Sequence, residues 1–186
     1  MKNYIKSLIV LALAVFAFAL TSSAQVTITQ WNFEGDLITP STGSGTANLI
    51  GGTAATFATG LEGGVSAGRA WNTNTYPEQG TGSGTAGVEF LVSTSGFSNI
   101  SLTWDHRHSN TSANRVRLQY TLNGTTWVNF EAGASNATNT ALGVDKGFDN
   151  GRYITDAGDT WYQRSASFAG ISGANDNAAF AIRVVS

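Results

Sequence analysis

The sequence predicts an all-β protein, an antiparallel β-sandwich of jelly-roll-like form, on three observations. Residues 100–104 and 115–122 alternate apolar with polar side chains, and a period of two is typical of strands with one buried face. Asn123-Gly124 then precedes a further strand-like segment at 127–130, and this dipeptide predicts a tight hairpin in which both turn residues take positive φ. No segment after residue 24 has a convincing helical period.

The same alternation predicts the other strands in order along the chain. We expect strands at 26–33, 47–50, 53–57, 85–93, 160–168 and 178–185, in addition to those at 100–108, 115–122 and 127–130. Residues 60–68 predict a flexible loop, and 132–158 is the longest stretch without clear periodicity. About eight to ten short strands separated by Gly-rich turns are typical of a sandwich or jelly roll.

Residues 1–24 predict a cleaved signal peptide. Lys2 and Lys6 precede an apolar run at 8–20, which is short for a membrane span and ends at the small residues 22–24. We therefore expect a secreted or cell-surface protein, with no membrane span after cleavage and with one β-sandwich domain at 25–186. The sequence stops inside a predicted strand, so we expect the domain to be truncated at its C-terminus and part of a longer protein.

Composition excludes several classes of site. The chain has no cysteine, which excludes a disulfide scaffold, a thiolate metal site and a cysteine nucleophile. It has 10 Lys and Arg against 12 Asp and Glu, so there is no basic field for nucleic acid. Abundant Gly, Ser, Thr and Asn suit turns and a polar extracellular surface.

Several motifs together carry a resemblance to a known domain. They are Gln30-Trp31-Asn32-Phe33, Trp71-Asn72-Thr73 with Tyr76-Pro77, the segment 101–110 (SLTWDHRHSN), Gly158-Asp159-Thr160-Trp161 and Phe180-Ala181-Ile182-Arg183. In these motifs the chain resembles an N-terminal β-sandwich domain of many secreted bacterial proteins. There it often precedes a C-terminal sorting or anchoring signal, or an extracellular nuclease or lamin-tail domain. The resemblance implies the domain type and no particular activity.

A polar face is the first candidate site. We expect it to hold Asp105, Arg107, Arg115 and Arg117, joined by Glu89 and Arg183 from neighbouring strands. One interpretation is a ladder of surface ion pairs. The other is a ligand face, because guanidinium groups bind carboxylates and sulfates and nearby Asn and Thr suit sugar hydroxyls. Trp127 is out of phase with its apolar neighbours and is the candidate for an exposed aromatic ring, whereas Trp104 is expected in the core.

Two further groups allow a metal. His106 and His108 share one strand face, which suits either a metal or, as we favour, a pair that packs and hydrogen-bonds locally. Carboxylates crowd the long region near the C-terminus, at Asp145, Asp149, Asp156 and Asp159. Such groups can bind Ca²⁺, although their spacing matches no EF-hand and turn formation is the simpler interpretation.

These observations predict a secreted, non-catalytic module that binds or adheres to an extracellular polysaccharide or another cell-surface component. One alternative is a structural spacer in a larger secreted enzyme or anchored protein. A second alternative is a jelly-roll glycoside hydrolase or lyase, for which Glu89 and Asp105 are the one carboxylate pair we place on a shared face. No Gly-x-Ser-x-Gly elbow supports a serine triad.

Overall fold

The computed structural model describes residues 25–61, 68–156 and 158–186. The predicted signal peptide and most of the predicted 60–68 loop lie outside the described residues. Within the described part, no helix is long and apolar enough to cross a membrane. That part forms a short 3-10 turn at Glu34–Asp36 and thirteen strands: β1 Thr46–Ile50, β2 Ala54–Thr59, β3 Arg69–Asn74, β4 Gly87–Leu91, β5 Ser101–Arg107, β6 Arg115–Thr121, β7 Trp127–Asn129, β8 Ala137–Ala141, β9 Val144–Asp145, β10 Phe148–Asp149, β11 Arg152–Ile154, β12 Trp161–Ser167 and β13 Ala181–Val185.

The strands form two main antiparallel sheets, which confirms the predicted all-β sandwich. The larger sheet has seven strands in the order β1-β4-β13-β6-β11-β10, with β7 also paired to β6. The smaller sheet has four strands in the order β5-β12-β8-β9, and β2 and β3 form a separate two-stranded hairpin.

The core lies between the two main sheets. The larger sheet contributes Val116 and Leu118 to it, while β5 of the smaller sheet contributes Leu102 and Trp104. Fully buried Phe168 lies among three aromatic rings, with ring centres 5.0 Å from Phe130, 5.3 Å from Phe180 and 5.7 Å from Tyr120. Tilted and edge-to-face ring pairs of this kind stabilise a core beyond simple area burial.

Most of the predicted strands are confirmed, and the first is wrong. Residues 26–33 form only an isolated bridge between Gln30 and Thr42. The chain bends back there instead of extending: Phe33 has φ 58°, and Trp31 Nε1 donates a hydrogen bond to the Ile38 carbonyl at 3.0 Å. The Trp31 ring lies 4.9 Å from the Phe90 ring, so this segment packs as a folded loop.

The predicted hairpin is present, but its turn is longer than expected. Thr121 pairs with Trp127, which leaves a loop of five residues between β6 and β7. Of the Asn-Gly pair only Gly124 has positive φ, at 76°. The Asn123 side-chain oxygen accepts backbone N–H bonds from Thr125 at 3.0 Å and Thr126 at 2.8 Å, so Asn123 acts as a side-chain cap of the turn.

The region 132–158, expected to be aperiodic, contains the short strands β8 to β11. These strands are two to five residues long and are built mostly from small or polar residues. A segment that short does not establish a period of two, which is why alternation did not reveal it.

Candidate functional site

The fold divides the predicted polar face into two surfaces. β5 and β6 belong to different sheets, which face each other across the core. Asp105 and Arg107 on β5 therefore lie on the outer face of the four-stranded sheet, and Arg115 and Arg117 lie on the outer face of the seven-stranded sheet. The expectation of one shared face for these four residues is wrong, because two consecutive strands with similar patterns occupy opposite sheets.

One polar row crosses five strands on the outer face of the seven-stranded sheet. It consists of Asn48, Glu89, Arg183, Gln119 and Asn129, which are paired in register. Asn48 Nδ2 donates to Glu89 Oε1 at 3.0 Å, and Gln119 Nε2 donates to Asn129 Oδ1 at 2.8 Å. Arg183 lies between these two pairs, opposite Glu89, and its Nε donates to Gln119 Oε1. Glu89 and Arg183 thus lie on the same face as Arg115 and Arg117, and not with Asp105 and Arg107.

This row is partly covered rather than open. Thr121, Ala181 and Val185 lie on the same side of the sheet and are at most 1% exposed. Half-buried Trp127 packs on Arg183, with the guanidinium carbon 4.4 Å from the ring centre. The Trp127 ring therefore has a cation–π partner within its own chain. The row is a set of polar pairs across neighbouring strands, and such pairs stabilise strand pairing.

Arg115 and Arg117 continue the same face toward β10 and β11. Arg115 Nε lies 3.0 Å from Asp149 Oδ2, and Arg117 Nη1 lies 4.0 Å from Glu131 Oε1. Arg152 also approaches Asp149, at 3.8 Å. Each guanidinium has a carboxylate nearby, and such partly exposed pairs contribute at most about 1 kcal/mol each.

The outer face of the four-stranded sheet carries an open groove of about 250 Å³. Its outward-pointing side chains are polar and lie in two adjacent rows across the strands. One row contains Thr103, Ser165 and Thr138, and the other contains Asp105 and Gln163. Trp104 and Arg164 also line the groove, but they alternate with the outward residues and contribute its floor. The Thr138 and Ser165 hydroxyls are hydrogen-bonded at 2.7 Å, so the two side chains are held in place.

Beneath this floor the buried Arg164 side chain contacts four polar side chains. Arg164 is 2% exposed. Its Nε donates to Asn139 Oδ1 at 3.0 Å and its Nη2 to Thr155 Oγ1 at 3.0 Å. Its Nη1 lies 2.8 Å from His106 Nδ1 and 3.3 Å from His108 Nε2. Because a guanidinium can only donate, both imidazole nitrogens accept, and both rings are neutral.

The environment of Arg164 sets the charges of its neighbours. Burial, and secondarily the charge on Arg164, lowers the pKa of His108 to about 3. Burial, with His108 and Arg164, lowers the pKa of His106 well below its usual value. Burial also lowers the pKa of Arg164 to about 10, which leaves it charged at neutral pH. The histidines pack at the strand end with ring centres 4.1 Å apart, and His108 has a local hydrogen bond with the backbone of Ala113, as expected. Both rings also contact Arg164 of β12, which is distant in sequence.

The four aspartates considered for Ca²⁺ have other partners. Asp149 pairs with arginines as described above, Asp159 pairs with Arg107 at 2.9 Å, and Asp156 pairs with Lys146 at 3.0 Å. Asp145 accepts a backbone N–H bond from Gly147 at 2.9 Å. Hydrogen bonds from Lys146 and Tyr162 lower the pKa of Asp156. No group of three or more His, Asp or Glu side chains capable of holding a metal occurs among the described residues.

The carboxylate pair considered for glycoside cleavage is not assembled. Glu89 lies on β4 in the seven-stranded sheet and hydrogen-bonds Asn48, while Asp105 lies on β5 in the four-stranded sheet. A glycosidase needs both carboxylates flanking one bond, so the expected adjacency of these two residues is wrong.

Sequence reasoning missed the main polar residues of β12. Arg164 shares the phase of buried Tyr162 and Ala166, and Gln163 and Ser165 point outward between them. The apolar alternation of 160–168 could have placed Gln163 and Ser165 on an outer face, but an arginine in the buried phase gives no signal of its partners.

Comparisons with protein-family models, with curated proteins and with solved structures find no match.

Proposed function

We propose that this protein is a secreted, non-catalytic module that binds an extracellular glycan in the groove of the four-stranded sheet. The observation that carries the proposal is the groove's outward lining of three hydroxyls, one amide and one carboxylate. Hydroxyls and amides both donate and accept hydrogen bonds, and carboxylates accept them, which complements the hydroxyl groups of a sugar.

The position of the groove supports its use as a binding site. Its lining side chains stand on neighbouring strands of one sheet, and sites on strands hold their geometry better than sites on loops. The outer face of the larger sheet is less suited to bind a ligand, because its arginines are already near carboxylates of the same chain.

A polysaccharide-binding screen tests this proposal. The purified chain is applied to immobilised polysaccharides from bacterial, algal and plant cell walls. A Gln163→Ala variant, which removes the amide from the groove, is expected to lose about two- to tenfold in affinity. Arg115→Ala, on the opposite sheet, is the matched control and should bind as the parent does.

Two results count against the proposal. One is the absence of binding to every polysaccharide in the panel. The other is loss of binding in Arg115→Ala with retention in Gln163→Ala, which assigns the ligand face to the larger sheet.

A further inference from the structure

Two sequence motifs that the groove does not involve meet on one face of the β2–β3 hairpin. Phe57 and Trp71 are paired in register, so their side chains lie on the same side of the hairpin. The Phe33 ring packs against the Trp71 ring, with ring centres 5.9 Å apart and ring planes inclined by 31°. Thr73 follows two residues after Trp71 on this side, and its Oγ1 lies 2.7 Å from the hydroxyl of Tyr76. The fold thus gathers four aromatic side chains, and we call this surface the aromatic face.

The rings of the aromatic face keep part of their surface accessible. Tyr76 is 40% exposed, and Phe33, Phe57 and Trp71 are half-buried. In the part of the chain that the structure describes, the core between the two main sheets includes none of these four rings. Contiguous apolar side chains that stay outside a core and remain accessible are typical of binding surfaces.

The backbone beside the aromatic face is held in an unusual conformation. Phe33 and Thr75 have φ of 58° and 62°, in the left-handed region that residues other than glycine rarely adopt. For the β-branched Thr75 this conformation is particularly unfavourable. Strained residues persist only where the surrounding structure holds them, and they are frequent at ligand sites. Here the strain coincides with the rings, because Phe33 is one of them and Thr75 directly precedes Tyr76.

Polar groups flank Trp71 on both sides along β3. On one side the Thr73 and Tyr76 hydroxyls share one hydrogen bond, and each can form others. On the other side Arg69 donates from Nε to Asp36 Oδ1 at 2.7 Å, so its charge has a carboxylate partner. Aromatic rings suit the apolar C–H faces of a sugar, and flanking hydroxyl and N–H groups suit its rim of hydroxyls.

The size of the aromatic face favours a small ligand over a protein partner. An aromatic side chain has about 150–250 Å² of surface, and these four are at most 40% exposed, so together they present about 400 Å² or less. A stable protein interface, including one with a second copy of this chain, buries about 800 Å² on each partner. The accessible rings cover about half of that area.

We propose that the aromatic face is a saccharide-binding site, with Trp71 and Tyr76 as stacking platforms for pyranose rings and Phe33 as the side chain that holds Trp71 in place. The site lies on the separate β2–β3 sheet, whereas the groove lies on the four-stranded sheet. It therefore goes beyond the proposed function and does not depend on it.

Nuclear magnetic resonance of the indole N–H groups tests this site in the unaltered chain. The sequence has five tryptophans, so an isotope-labelled chain gives one indole signal for each, and the variants Trp71→Phe and Trp127→Phe identify two of them by their loss. The probes are cellohexaose, xylohexaose and mannohexaose, added separately. We expect at least one probe to shift the Trp71 signal. The signal of Trp127, which packs on Arg183 in the larger sheet, should stay in place.

Titration of the Trp71 signal in two further variants measures the contribution of Tyr76. Tyr76→Ala should weaken binding at this site about tenfold, the effect of losing contact with about 60 Å² of apolar surface. Tyr76→Phe keeps the ring and should bind within about threefold of the parent. Phe97→Ala is the matched control, because it removes a ring that is 38% exposed on the turn between β4 and β5, and it should leave the titration unchanged. Circular dichroism checks that each variant is folded.

The outcomes separate this site from the groove. A Trp71 signal that none of the probes moves overturns the aromatic face as a saccharide site and leaves the groove proposal standing. A Trp71 shift that is lost in Gln163→Ala but kept in Tyr76→Ala assigns the bound sugar to the groove and also overturns this proposal. A Trp71 signal that moves with protein concentration instead of with the probes shows that the face binds a second copy of the chain, which overturns it as well.

Discussion

Replacing Asn139 by alanine should be among the most damaging single changes in this protein. Asn139 is fully buried on β8, and its side chain makes three hydrogen bonds. Its Oδ1 accepts from Arg164 Nε at 3.0 Å, and its Nδ2 donates to the carbonyls of Gly147 at 2.7 Å and Ile154 at 2.9 Å. The substitution leaves one charged donor and two carbonyl groups without these partners in the interior.

The magnitude follows from these three bonds. A buried hydrogen bond to a charged group contributes about 1.5–3 kcal/mol, and each neutral one contributes about 1 kcal/mol. The expected loss of unfolding free energy is therefore about 4 kcal/mol. With a urea m-value of about 2 kcal/mol per molar, the unfolding midpoint should fall by about 2 M.

Equilibrium unfolding in urea, followed by tryptophan fluorescence, measures this change. The Trp104 ring lies 5.1 Å from the Tyr153 ring in the same interior, so its emission reports on this region. Thr140→Ala, one residue along β8 on the outer face, is the matched control and should change stability by at most about 0.5 kcal/mol. A midpoint for Asn139→Ala within 0.5 M of that control would refute the central role of the buried network.

Three further predictions concern pH, backbone packing and calcium. Because the pKa values of His106 and His108 are lowered in the folded state, the free energy of unfolding is highest above about pH 6.5 and falls as the pH drops toward 3. The protonation of His108 alone lowers it by about 3 kcal/mol at pH 4. Urea midpoints at pH 7 and pH 4 measure this loss, and a His108→Gln variant with an equally steep pH dependence would contradict it. Gly87→Ala should destabilise strongly because its Cβ would collide with the carbonyl of Val184, whereas Gly170→Ala, with open space around it, should be neutral in thermal melts. Melting curves with Ca²⁺ and with chelator should coincide, because Asp145, Asp149, Asp156 and Asp159 already have partners. A melting temperature several degrees higher with Ca²⁺ would instead support a metal site.

The strength of a local pattern decided which strands could be predicted. β5 and β6 each have an apolar side and a polar side over seven residues, and β13 alternates Ile182 and Val184 with Arg183, so alternation located all three. Residues 26–33 have a similar pattern, yet aromatic packing of Trp31 against Phe90 and a positive φ at Phe33 bend the chain away from a sheet. Tertiary packing overrode local preference there.

The candidate site was less predictable than the fold. Alternation shows which residues of a strand point outward, and it placed Asp105 and Arg107 correctly on the polar side of β5. It does not show which sheet a strand joins, so Arg115 and Arg117 were grouped with them although β6 pairs with β13 and β11. The groove depends on β12 lying between β5 and β8, a pairing of segments that are distant along the chain.

The position of β13 has a consequence for how the protein folds. β13 follows every other strand in the sequence, yet it pairs with β4 on one side and β6 on the other. Until residues 181–185 are synthesised, β4 and β6 have no strand between them, and the seven-stranded sheet remains in two pieces. Pairings between segments so far apart form slowly, since a long stretch of chain must first be ordered. Assembly of the seven-stranded sheet therefore waits for β13, the last of the described strands, and the two pieces keep unpaired strand edges until it arrives.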